Sequence, residues 1–232
     1  MNSTRSTLLI VGILFLLATA ASIAAFVIIQ THIKGTDYLN TLYADRIPFS
    51  LGVLFQLICD VSVVIIGVLM FRIIKGNNEN IAIGYLSSRI IEALIQVVGC
   101  ISVLLLITIS KEYIQDGTNN AFYYQTLGVL AKRWNGISFE ISFFATGIGG
   151  VLLCYWLYKS KLIPPVITII GFIGYTALFV KSLFSILGFS ISMILFIPAA
   201  IFELIFPVWL IVKGSDTSLK IDTTITNARQ ME

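Results

Sequence analysis

Gly84-Tyr85-Leu86-Ser87-Ser88-Arg89-Ile90-Ile91-Glu92-Ala93-Leu94-Ile95-Gln96-Val97-Val98-Gly99 is the stretch that decides how this chain folds. It lies inside a longer apolar run, Ile81 to Ile109, with length enough to cross a bilayer. A helix stacks residues three and four apart, so Tyr85, Arg89, Glu92 and Gln96 fall on one face. Ionisable groups within hydrocarbon are costly and turn toward a bundle interior or a wet cavity. This helix is therefore expected to be the hub, and the rest of the chain must supply polar partners for its face.

The surrounding composition agrees with a membrane setting. Of 232 residues, 57% are hydrophobic and only 12% are charged, where soluble domains carry about 25% charged residues. Asking for runs of roughly 17–25 apolar residues gives spans at 8–29, 49–71, 81–109, 137–158, 163–187 and 189–212. The expected fold is all-α: a six-helix transmembrane bundle in one membrane domain, residues 1–213. Residues 214–232 lack apolar periodicity and read as a disordered tail.

The first span has features of a signal peptide, with Arg5 ahead of it and Ala18-Thr19-Ala20 like a cleavage site. Its apolar run continues to Ile29, however, and Ala18, Ala21, Ser22 and Ala25 form a small-residue stripe suited to close packing. An uncleaved helix is the better reading. Arg5, Arg72, Lys75, Lys159, Lys161, Lys213, Lys220 and Arg229 fall on one side of the spans; Lys34, Arg46, Lys111, Lys132 and Arg133 fall on the other. The positive-inside rule then places both termini in the cytoplasm, in a multi-pass cell-membrane protein. Two long outer loops are expected, 31–48 with a short interfacial helix near Asp37-Tyr38-Leu39-Asn40, and 112–136 with headgroup-level aromatic residues. Inside, Lys75-Gly76-Asn77-Asn78-Glu79 reads as a turn, and Pro164-Pro165 suits the first turn of a helix. Trp156 and Trp209, near inner helix ends, read as interface anchors.

Several classes of function find no residues to carry them. The net charge of +3 is small and spread along the chain, unlike a nucleic-acid footprint. Cys59, Cys100 and Cys154 sit in apolar runs without metal spacing, and His32 is the single histidine. No zinc-protease helix, phosphate-cradling glycine loop or Ser–His pair within a span is found, so neither a metal nor another cofactor is expected. Membrane-embedded acid chemistry by Arg89 and Glu92 is the one enzymatic role left open.

Three motifs in register carry a resemblance. Tyr85-x3-Arg89-x2-Glu92, then Tyr158-Lys159-Ser160-x-Leu162-Ile163-Pro164, then Pro198-x4-Glu203-x5-Trp209-Leu210-x2-Lys213-Gly214 resemble the uncharacterised prokaryotic membrane family called domain of unknown function 4386. The likeness covers nearly the whole chain. It implies a multi-pass membrane protein and supplies no activity. Pro165 departs from the polar or basic residue expected after Pro164.

Depth along each helix, at about 1.5 Å per residue, sorts the buried charges into two layers. Asp60, Arg89, Glu92 and Glu203 lie about 13–18 Å from the cytoplasmic ends of their helices, with Gln56 and Gln96 one turn away. Glu140 and Lys181 lie about 27–28 Å in and are expected to pair or to snorkel to the outer surface. The inner layer does not balance: Arg89 can neutralise one of three carboxylates. An uncompensated carboxylate in a low-dielectric site takes up a proton or gathers water, a cation or a cationic ligand. Two readings follow. In one, the inner layer serves proton- or cation-linked binding or transport of a small solute. In the other, the chain is a non-catalytic sensor, scaffold or regulatory subunit whose buried charges fix helix registry. Beyond the lipid bilayer, the expected partners are that solute, proton or cation, and further copies or other subunits in a homo- or hetero-oligomer.

Overall fold

The computed structural model describes residues 3–117, 120–189 and 191–229, with side chains to Gly214. Among these, the order of elements is α1 (Ser3–Ile33), α2 (Tyr38–Thr41), α3 (Arg46–Lys75), α4 (Glu79–Asp116), α5 (Ala121–Ser160), α6 (Pro165–Ile186), a 3₁₀ turn (Met193–Phe196) and α7 (Ile197–Arg229). Six helices among the described residues are long and apolar enough to cross a membrane. Each long helix packs on the next in sequence, α1 on α3 through α6 on α7, and α7 returns to α1. The bundle is thus a closed ring with an axis of its own.

Lipid is as apolar as leucine, so close van der Waals fit rather than water exclusion holds such a ring together. The stripe on α1 performs this: Ala18, Ala21 and Ala25 are buried, and Ala18 and Ala21 cluster with Cys59 of α3. Gly174 of α6 lies so close to α7 that an added Cβ would stand 2.3 Å from the Ala199 nitrogen. Two large apolar cores result. One, at the α3–α4 turn end, gathers Val11, Met70, Ile74, Tyr85, Leu153 and Phe202. The other, at the opposite end, gathers Ile29, Leu42, Phe49, Val103 and Leu106. Between them along α3 and α4 lie buried Gln56, Asp60 and Glu92.

The local signals explain the joints. Asn78 caps α4, its side chain accepting from the Ile81 N–H at 3.0 Å. Pro165 occupies the first turn of α6, where its missing N–H costs nothing. Lys161 ends α5 in the left-handed region at φ 53°, and Gly188 at φ 90° stops the chain after α6.

Five expectations are corrected or differ. Residues 112–136 are not a loop: α4 runs to Asp116 and α5 starts at Ala121, because polar residues on a helix outside the bilayer carry no penalty that would unwind it. The Tyr124 hydroxyl donates to Asp116 at 2.7 Å and closes this helical hairpin. The short helix α2 forms where expected but packs inward on the bundle: Tyr38 and Leu39 are buried, held by Ser110, whose hydroxyl donates to the Leu39 carbonyl at 2.6 Å. The span expected at 189–212 starts as a 3₁₀ turn and becomes α-helix only at Ile197. Trp156 is a core residue, 3% exposed, rather than an interface anchor. The backbone beyond residue 214, expected to be structureless, is helical through Arg229, and the sequence after Gly214 has no proline or glycine to stop it.

Candidate functional site

The polar face of α4 is built as its periodicity requires. Tyr85, Arg89 and Glu92 are buried, and the Arg89 guanidinium lies 5.3 Å from the centroid of the Tyr85 ring. Arg89 Nη1 pairs with Glu92 Oε2 at 2.9 Å, both side chains no more than 8% exposed. Its Nη2 points to the Thr146 carbonyl of α5 at 3.4 Å. Room for the arginine comes from two glycines. An added Cβ at Gly67 would lie 3.0 Å from Arg89 Cβ, and one at Gly149 would lie 3.5 Å from Arg89 Nε.

Asp60 of α3 is buried beside this pair, but its partner is Gln56, whose Nε2 donates to Asp60 Oδ1 at 2.9 Å. The same Nε2 reaches Gln96 Oε1 of α4 at 2.6 Å. Both glutamines expected to extend the network therefore do so, as a bridge between α3 and α4. The other oxygen of Asp60, Oδ2, is buried without a hydrogen-bond partner.

Glu203 of α7 accepts from the Tyr175 hydroxyl of α6 at 3.0 Å. Tyr175 is fully packed, 1% exposed, and its ring rests on Gly150, where a Cβ would come within 2.1 Å of ring carbon. Pro207 inside α7 removes the amide that would bond the Glu203 carbonyl. The second proline does not act this way. Pro198 is the second residue of α7, where helix N–H groups have no partner in any case, so α7 is interrupted on one side of its acid only.

Arg89, Glu92, Gln96 and Glu203 line one cavity of about 80 Å³ with Thr19 and Ser22 of α1, Cys59 of α3 and Thr146 of α5. It takes a few waters or a small ion, well below the ~300 Å³ of ordinary small-molecule sites. Asp60 connects to it through Gln56 and Gln96. Among the described residues, Arg89 is the one cation of this cluster, and it is committed to Glu92. Two acids, Glu92 and Glu203, therefore share this one base within the cavity, while Asp60, the third acid of the expected layer, is held apart by Gln56.

Glu140 and Lys181 form the second layer. Lys181 Nζ pairs with Glu140 Oε1, and the Ser182 hydroxyl donates to the Glu140 carbonyl. Lys181 is 4% exposed, so it is held inside rather than snorkelled out. Its Nζ lies 5.9 Å from the Phe143 ring centroid, and Phe143 stacks on Phe196 at 5.9 Å. Both rings line the acid cavity, so an aromatic pair adjoins the two polar layers.

Sequence reasoning missed Tyr175, Thr146, Thr19 and the Gly149-Gly150 pair. A tyrosine at the middle of an apolar span is a signal for the first, since a buried phenol needs a partner. The model of the family described as "Domain of unknown function (DUF4386)" matches residues 10–214. The chain belongs to this family. No curated protein and no solved structure matches it. In this DUF4386 chain the three motifs converge in part: Arg89 and Glu92 from the first and Glu203 from the third share the cavity. Tyr158, Leu162 and Pro164 of the second motif gather with Trp209 of the third at a separate depression of about 580 Å³.

Proposed function

We propose that this chain is a multi-pass protein of the cell membrane, both termini cytoplasmic, that takes up a proton or small cation at Glu203 and links it to binding or transport of a small solute. The observation supporting this reading is the company Glu203 keeps. It faces a cavity shared with a second acid, Glu92, and the single cation there already serves Glu92. A carboxylate so placed exchanges between a protonated form and one compensated by a cation, which is the chemistry that ion-coupled membrane proteins use. The ~80 Å³ of space fits the ion rather than the solute, so the solute would need a more open arrangement of the ring. Glutamine at 203 keeps the shape and removes the titration.

The test is thermal unfolding of purified protein in detergent across pH 5–9, with Na⁺, K⁺ and ammonium each in turn. Wild type is expected to show a pH-dependent stabilisation by at least one cation, and Glu203→Gln to lose it. A profile unchanged by Glu203→Gln would overturn the proposal. It would favour the second reading, a regulatory or scaffold subunit with structural charges, which the fully packed Gln56 bridge between α3 and α4 supports.

A further inference from the structure

The outer face of the α4–α5 hairpin carries a groove of about 870 Å³. Its floor is made of small residues, Ser102, Ala131 and Ser138, all buried, and its walls of exposed Leu105, Leu130 and Ile137. Small residues below and branched ones at the sides leave a trough rather than a packed seam. An added Cβ at Gly99 would stand 2.9 Å from Ser138 Cβ, so the two helix backbones are close and the trough lies over their junction. Arg133 and Trp134 stand along it.

We infer that this groove holds a phospholipid with an anionic headgroup, its phosphate on Arg133 and an acyl chain in the trough. Three observations carry this. The first is depth. Counted from Leu157 toward the other end of α5, Arg133 lies about 36 Å along the helix, just past a hydrocarbon layer about 30 Å thick and at the level of lipid phosphates. From Arg133 the trough runs to Ile141 on α5, about 12 Å of helix, and from Ile109 to Leu94 on α4, about 22 Å, so it spans the headgroup level and part of one leaflet of chain. The second is charge. Arg133 is exposed, and among the described residues it has no acid within ion-pair distance. Its neighbour Lys132 is turned away, donating to the Ile33 carbonyl at 2.9 Å, so one cation serves the groove. The third is the indole of Trp134, 57% exposed beside that cation, a ring type that sits at headgroup level. A guanidinium binds phosphate through paired N–H donors, and the apolar trough supplies the rest of the contact.

The experiment compares lipid retention by native mass spectrometry after purification into detergent from vesicles of equal phosphatidylglycerol and phosphatidylcholine. Wild type is expected to keep phosphatidylglycerol in about fivefold preference, the ratio that ~1 kcal/mol per basic residue gives. Arg133→Ala should lose the preference while keeping helicity by circular dichroism, since the side chain is exposed. Ser138→Leu, which raises the floor, should lose bound lipid of either kind. Equal retention of both lipids by wild type, preference undiminished in Arg133→Ala, or a dimer mass in which a second copy covers the groove would each overturn the assignment.

Discussion

The Tyr175 hydroxyl donates to Glu203 Oε1 across the α6–α7 interface at 3.0 Å, and this is the one hydrogen bond to the cavity's second acid among the described residues. Tyr175→Phe keeps the ring on Phe202, 5.6 Å away, and deletes the donor alone. Bonds within membrane bundles average about 0.6 kcal/mol, and those to charged groups reach ~3. A loss of about 0.5–2 kcal/mol in SDS unfolding is expected. In a double-mutant cycle with Glu203→Gln the losses should be less than additive. Strict additivity would mean that the hydroxyl and the carboxylate do not interact.

Arg89→Leu leaves Glu92 buried without its cation and should destabilise by about 3–5 kcal/mol. Arg89→Leu with Glu92→Gln should recover part of this. Adding Glu203→Gln should recover more, because Glu203 lines the same cavity and, once the arginine is gone, faces no cation there at all. If the double variant already regains wild-type stability, Glu203 is electrically independent of the arginine, and the shared imbalance is refuted.

The sequence made the polar face of α4 legible because 3.6-residue periodicity survives in any helical fold, and it made Glu140–Lys181 legible because opposite charges in lipid have few alternatives. It also exposed the imbalance among Asp60, Glu92 and Glu203, which is arithmetic on residue types. Which acid takes the arginine is a matter of rotamer and distance: Glu92, three residues on, reaches it within its own helix, whereas Asp60 faces Gln56. Hydropathy could not place the ends of α4 and α5, since it marks where the bilayer ends and not where a helix does. The role of Pro198 depended on where α7 begins, and the 3₁₀ turn at Met193–Phe196 has no apolar signature to set it apart from its flanks.

Gly150 and Gly136, both in α5, should respond oppositely to alanine. A Cβ at Gly150 would meet three atoms of the Tyr175 ring at 2.1–2.3 Å, whereas nothing lies within 4 Å of one at Gly136. The ring is rigid and fully packed, so Gly150→Ala must push α5 from α6, costing about 1–3 kcal/mol or more. It should also disturb the Tyr175–Glu203 bond and any pH response. Gly136→Ala should stabilise by about 0.5–1 kcal/mol through helix propensity. Equal effects at both positions would contradict the packing described for Tyr175.

Cys59 offers a native reporter for access to the cavity. It is 7% exposed, lines the cavity with Phe143 and Phe196, and those two rings stack at 27°. In a chain with Cys100 and Cys154 replaced by alanine, Cys59 should react slowly with a small methanethiosulfonate reagent, because the aromatic pair covers part of the cavity wall. Phe143→Ala removes one ring beside the Lys181–Glu140 layer and should raise the labelling rate severalfold without altering helicity. Phe139→Ala, one turn away on α5 and in contact with Phe143 at 6.1 Å, is the control, because it does not line the cavity. Equal acceleration by both substitutions would point to general loosening of α5, and no acceleration by Phe143→Ala would show that the ring does not guard the acids.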